Sequence, residues 1–258
     1  MDFIKQLISN FPKNYLTALV SNVAIVSLFY FVFWKLLKDR FKNWRIQLIE
    51  RVNDEQIKRE LKNAIVSLMV GAFFSCIVLY FATKGYTKIY TNIDDHSRFW
   101  AYAGFFLLIL IDDTWFYWVH RLLHHPAIYK HIHFEHHKSI DVNPFSSISF
   151  HFLEPFLLTF WIFPVSFLMP TYAPILGLIQ IWGLLDNIKS HLGYEFYPAK
   201  LNKTWLNFIT SSTHHNMHHA QFNGNYGRHF RIWDRLLETE FKDYEAEYDK
   251  IQERKLNA

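Results

Sequence analysis

Histidine is concentrated where this chain can do chemistry. "HRLLHH" (His120 to His125), "HFEHH" (His133 to His137) and "HNMHH" (His215 to His219) each hold three imidazoles at close spacing. Neutral imidazole is a common ligand for iron, copper, zinc and nickel. On a helix, positions i, i+3 and i+4 share a face, so the spacing predicts that His133, His136 and His137 converge on one point, and that His215, His218 and His219 do the same. His120 and His124 form an i, i+4 pair. His125 precedes Pro126, which pushes it away from helical dihedrals and leaves it free to curl back; one of His124 and His125 completes the first cluster. So many candidates exceed what one ion can use, and two metals are expected. His214 sits about 100° from His215 around a helix and is expected beside the ligands or facing solvent, although His214 with His218 is an alternative i, i+4 pair. The isolated His96 and His229 read as ordinary core or surface residues.

The elements that carry these residues read as membrane helices. The chain has 258 residues, 51% of them apolar, with 26 phenylalanines, more apolar and aromatic than an ordinary soluble domain. Apolar runs of crossing length span Tyr15 to Leu37, Ala64 to Thr83 and Phe99 to Val119. A fourth block, Phe152 to Leu185, is too long for one crossing and is interrupted at Pro164, Pro170 and Pro174, which predicts a hairpin. The fold expected is an all-α, multi-pass membrane bundle of four to five crossings, hairpin included, with a cytoplasmic helical cap bearing the histidines. The first loop, Lys35 to Lys62, carries nine Lys and Arg against three in Lys84 to Arg98, so it should be cytoplasmic. Both histidine-rich regions then lie on that same side. The first apolar run reads as an anchor rather than a cleaved signal peptide. Residues 1–111 divide as amino-terminal helices and loop, 112–240 as the catalytic region and 241–258 as a charged tail. The net charge of +4 follows this topology, and no separate basic domain suggests nucleic acid. The single cysteine, Cys76, excludes an intrachain disulfide.

The HX3HH, HX2HH and HX2HH motifs, together with "HFLEP" and "GNYGRHFRIWDRLLETE", resemble the fatty acid hydroxylase and sterol desaturase superfamily over about Asp112 to Thr239. The resemblance implies a membrane enzyme with a non-haem centre of two iron ions, using O2 and two electrons on an unactivated lipid C–H bond. Its ligands would be His120, His124 or His125, His133, His136, His137, His215, His218 and His219, with His191 as the family's isolated histidine. Asn187 stands where some relatives carry a further histidine; it would hold a water at one iron or serve as an ordinary helix-end residue.

Metal-bound imidazoles need partners that fix their tautomers. Asp113, seven residues before His120, is expected in that role, unless Asp112 and Asp113 form a packing or proton-handling pair. His151 in "FHFLEP" is expected to support the ligands as well, ahead of Glu135, Glu154, Asp186 and Glu195 as weaker candidates. Tyr226, Trp233 and Asp234 are expected only to pack a lid. No dinucleotide fingerprint, haem module or iron–sulfur cysteine set is present, so a separate ferredoxin, cytochrome or reductase must supply electrons. The basic first loop offers it a surface, although topology alone explains those charges. The substrate would be a lipid drawn from the bilayer of a bacterial inner membrane or endoplasmic reticulum. Spacing separates neither hydroxylation from desaturation nor an acyl chain, alkylglycerol, sterol or carotenoid from one another, and the shared chemistry inclines to monooxygenation. A histidine-rich metal transporter, a membrane zinc hydrolase and a non-catalytic relative are the alternatives; ligands at helix ends with fixed spacing argue against the first, more ligands than zinc hydrolysis uses against the second, and intact triplets against the third.

Overall fold

The computed structural model describes residues 2–257. Three helices are long and apolar enough to cross a membrane. α1 spans Asp2–Tyr30 and runs on through a π-helical turn, Phe31–Leu36; α2 spans Asp54–Thr83 and α3 Arg98–Leu123. Their outward faces stay apolar and exposed, as Leu16, Val20 and Leu28 do on α1 and Phe99, Tyr102, Phe106 and Leu110 on α3. Lipid is the solvent such faces require. α2 begins sharply because the Asn53 side chain accepts from the Gln56 N–H while Asp54 and Glu55 complement the first turn.

The proline-interrupted block folds back as expected. α6 (Glu154–Thr159) and α7 (Ile162–Leu168) lead to a turn, and α8 (Ala173–Ser190) returns. The turn is fixed at the start of α3. Strand β2 (Thr171–Tyr172) pairs in parallel with β1 (Ile89–Tyr90), and Trp100 donates to the Pro170 carbonyl at 2.8 Å. The hairpin tip therefore lies at the end of the bundle from which α3 departs. The histidines lie at the end where α3 and α8 finish.

A cap of short elements closes that second end: α4 (Pro126–Tyr129), α5 (Phe134–His137), α9 (Ser212–Gln221), α10 (Ile232–Leu236) and α11 (Tyr244–Leu256). The segment expected as a charged tail is α11. Tyr244 and Tyr248 are fully buried and pack with Leu201 and Met217, and Arg254 and Lys255 donate to the carbonyls of Arg45, Glu195 and Tyr197, so it is part of the cap core. Where α8 meets the cap, Gly193 turns the chain at φ +81°, and a Cβ there would stand 2.9 Å from the Trp34 ring. Only glycine fits that turn and that approach.

Candidate metal centre

Nine imidazoles meet in the cap as two adjacent groups. His120, His124, His133, His137 and His218 form one; His136, His191, His215 and His219 form the other, and within each group one ligand atom per residue lies within 4.8 Å of all the rest. This partition differs from the one expected from spacing. Each HX2HH triplet is shared between the groups: His133 and His137 go one way and His136 the other, while His215 and His219 go one way and His218 the other. The reason is angular. Members i and i+4 lie about 40° apart around the helix, whereas i+3 lies about 100° from i+4, so the middle histidine faces a neighbouring point. Packing α5 against α9 makes each triplet's odd member complete the other's pair.

The first cluster is completed by His124. Pro126 stops α3, and His125 takes φ −61° and ψ 133°, extended as a residue before proline must be. That turns its ring outward, where Nδ1 accepts from the Ala127 N–H. His125 thus caps α4 and reaches neither group.

The ring nitrogens are arranged for a cation. Within the five-membered group, Nε2 atoms approach at 3.0 Å (His120 to His133), 3.1 Å (His133 to His137), 3.1 Å (His137 to His218) and 3.2 Å (His124 to His218). In the four-membered group, His191 Nε2 lies 3.1 Å from His215 and 3.3 Å from His136. Nitrogens about 2.1 Å from one ion stand about 3.0 Å apart at right angles and about 3.4 Å apart at tetrahedral angles, so these are the edges of a coordination shell. Six rings are held from behind. Nδ1 of His120, His218, His136, His219 and His191 donates to the carbonyls of Tyr226, Gly224, Ser149, Ser139 and Asn187, and Nδ1 of His133 to Glu154 Oε1 at 2.8 Å. A proton fixed on Nδ1 leaves a lone pair on Nε2. Lone pairs aimed at one another at these distances repel unless a cation lies among them, and buried His219 Nε2 has no protein partner at all.

Burial keeps the rings neutral. It pushes His136 down to about 4 and takes His133, His137, His191, His215, His218 and His219 well below the ordinary imidazole value, with neighbouring imidazoles adding to the effect. Aromatic rings form a dry collar: Tyr129 and Tyr226 lie 5.3 and 5.1 Å from His124, Phe222 lies 5.2 Å from His137, and Phe150 stacks on His136 at 4.7 Å.

Several expected supporting residues do other work. Asp113 Oδ1 accepts from the backbone N–H groups of His229 and Phe230 at 2.8 and 3.0 Å and touches no imidazole of either group. Asp112 holds Trp161, Arg228 and His229. His151 accepts the Leu153 N–H at the entry to α6 and lies tilted against Phe152. Asn187 donates its side-chain amide to the Ser147 carbonyl, while its backbone carbonyl holds His191. His214 is fully buried rather than solvent-facing; it lies outside both groups against Tyr244, with Nε2 3.6 Å from Asp234 Oδ2. His229, read as ordinary, is clamped between Asp112 and Asp186 at 3.1 and 2.8 Å. The carboxylate that does reach a grouped imidazole is Glu154. The sequence signal for it was the acid of "HFLEP", one helical entry away from His151.

Fold and site together define a helical membrane protein whose cap carries two adjacent all-imidazole groups that could each hold a metal ion. The fatty acid hydroxylase pattern matches residues 105–239, more than half of the chain, and the chain belongs to that family. It is 31% identical over 211 residues to a Delta(7)-sterol 5(6)-desaturase of Gibberella zeae, covering 78% of this chain and 58% of the relative. It is 34% identical over 186 residues to a Delta(7)-sterol 5(6)-desaturase of Leptosphaeria maculans (70% and 49%) and 32% identical over 187 residues to lathosterol oxidase of Rattus norvegicus (70% and 60%). The chain spans about half to three fifths of the length of these curated relatives. No solved structure matches it.

Proposed function

We propose that this protein is a membrane oxidase with two iron ions that removes hydrogen from an unactivated C–H bond of a sterol-class lipid. The observation that carries the reading is the convergence of nine imidazoles, all buried but the half-buried His124, into two adjacent shells where the cap meets the membrane helices. His120, His124, His133, His137 and His218 would hold one ion, and His136, His191, His215 and His219 the other. Bound there, the pair would supply redox chemistry: reductive cleavage of O2, with two electrons from a separate ferredoxin or cytochrome, to give an oxidant strong enough for the C–H bond.

The chain's own residues prepare that chemistry. The carbonyls of Tyr226, Gly224, Ser149, Ser139 and Asn187 and the carboxylate of Glu154 keep protons on Nδ1, so every backed ring presents Nε2. Tyr129, Phe150, Phe222 and Tyr226 exclude water that would quench an oxidant. In this reading residues 35–62, 120–150 and 191–257 share one face, and the Lys and Arg excess of the first loop supports the cytoplasm for it.

Relatives named as desaturases move the expected outcome from monooxygenation to desaturation. A desaturation takes two hydrogens from adjacent carbons and, with O2, two electrons and two protons, yields a double bond and two waters. Lipid extracts from a sterol-producing host expressing the wild type or His218→Ala, compared by mass spectrometry, test this. A lipid lacking two hydrogens only with the wild type supports desaturation. A product carrying one added oxygen makes the enzyme a hydroxylase, and identical extracts despite full metal loading overturn the enzymatic reading.

A further inference from the structure

Each group relies on one irregular loop. In the four-membered group, His219 and His136 are held by the carbonyls of Ser139 and Ser149, the two ends of the loop 139–149, at 3.1 and 3.0 Å. In the five-membered group, His218 and His120 are held by the carbonyls of Gly224 and Tyr226, in the strap 224–227, at 2.7 and 2.9 Å. The loop 139–149 holds one short 3-10 helix, Pro144–Ile148, which includes neither Ser139 nor Ser149, and neither stretch pairs in a ladder, so side chains help to set where those oxygens point.

A buried carboxylate from a neighbouring helix pins each loop, and in the loop 139–149 Asp141 adds a second tie, accepting from Arg45 Nη2 at 3.1 Å and the Arg51 N–H at 2.9 Å. Glu60 on α2 is fully buried and accepts from Ser139 Oγ at 2.5 Å, Ser146 Oγ at 2.7 Å and Asn143 Nδ2 at 2.8 Å. It belongs to one polar stripe of α2: Gln56 donates to the Asp141 carbonyl, Asn63 to Ser149 Oγ and Ser67 to the Ile148 carbonyl, all toward the same loop. Asp234 on α10 is also fully buried. It accepts from the N–H groups of Tyr226 and Gly227 at 2.8 and 2.7 Å and from Thr239 Oγ1 at 2.7 Å. The approach depends on glycine, since a Cβ on Gly227 would stand 2.8 Å from that carboxylate and 2.4 Å from the Phe230 carbonyl. Neither acid contacts a grouped imidazole.

We propose that Glu60 and Asp234 are positioning residues, each dedicated to one metal site: Glu60 acts through the loop 139–149 on His136 and His219, and Asp234 through the strap 224–227 on His120 and His218. Separate supports make the two affinities separately adjustable. An amide in place of either acid keeps the shape but turns an NH2 toward groups that are themselves donors, releasing the loop and slackening two rings of one shell. Loss of an outer partner weakens a metal site by roughly 10- to 100-fold, and the other ion should hold as before.

The test rests on the two-metal reading above. Iron-loaded, full-length protein is equilibrated with graded chelator and its metal per chain measured for the wild type, Glu60→Gln and Asp234→Asn, each also in His218→Ala and His219→Ala backgrounds. Glu60→Gln should weaken the ion that remains in the His218→Ala protein and change nothing further in the His219→Ala protein. Asp234→Asn should do the reverse, since partners in one network are non-additive and independent sites additive. Ser146→Ala and Thr239→Val each remove one hydrogen bond from the respective carboxylate; they carry the same expectation at smaller size if an acid variant does not fold. Equal weakening of both ions by either carboxylate variant, or no weakening by both, overturns the proposal. A wild type that holds fewer than two ions overturns the two-metal reading itself.

Discussion

The five-imidazole and four-imidazole groups share the same two HX2HH motifs, yet they are supported differently. The five-membered group is the only one of the two with a carboxylate on a ring, Glu154 on His133, and it draws on α3, α5 and α9. The four-membered group draws on α5, α9 and the residue just beyond α8, and its three backed rings all donate to neutral carbonyls. A carboxylate raises the basicity of the imidazole it holds. With one ligand more and one stronger ligand, the five-membered group should bind its ion more tightly.

The largest expected effect comes from breaking one group while leaving the other. His137→Ala should abolish lipid oxidation and remove the five-membered group's ion, and His219→Ala should do the same for the four-membered group, each leaving about one ion per chain because the group left intact keeps its full set of ligands. Metal analysis beside product assay checks this, and either substitution leaving activity intact would break the partition.

Chelator titration of the wild type sharpens the same comparison. Two release steps are expected, the first emptying the four-membered group, and the first step should vanish in His219→Ala. A first step that vanishes in His137→Ala instead would reverse the predicted order. Glu154→Gln should narrow the gap between the steps by weakening the five-membered group roughly 10- to 100-fold.

A smaller effect is expected from pH in metal-free protein. His136 titrates at about 4 in the fold against an ordinary value of 6.5, because burial disfavours its charged form. The unfolded chain therefore binds more protons between those values, so stability is greatest above about pH 6.5 and falls as pH drops toward 4. Thermal denaturation across that window should show the decline. Bound metal should suppress it until the ligands are protonated off the ion.

Smallest of all should be His125→Ala, whose ring only caps α4; activity and both ions should be retained. His214→Ala tests a neighbour of a different kind. The ring is buried against Tyr244, so the expected cost is to stability, about 1 to 3 kcal/mol, with both ions retained. Loss of metal in this variant but not in His215→Ala would show that the wrong face of α9 had been assigned.

Much of this protein follows from residue order alone. Apolar length defined the membrane helices, three prolines defined the hairpin, and i, i+4 spacing paired His120 with His124, His133 with His137 and His215 with His219, because those relations are set by the geometry of a single helix. The choice between His124 and His125 stayed open, because the extended conformation forced by Pro126 could turn the His125 ring toward the cluster or away, and the structure turns it away. What lay beyond the sequence was everything decided between elements. The sharing of each triplet across two groups depends on how α5 packs on α9, and Asp113 was expected on an imidazole because nothing local shows that a loop would reach its side chain first. The supports of the rings are chiefly backbone carbonyls, which every residue carries and no motif encodes. Only when the loops 139–149 and 224–227 are folded against Glu60 and Asp234 do those carbonyls acquire a direction, and with it a part in the site.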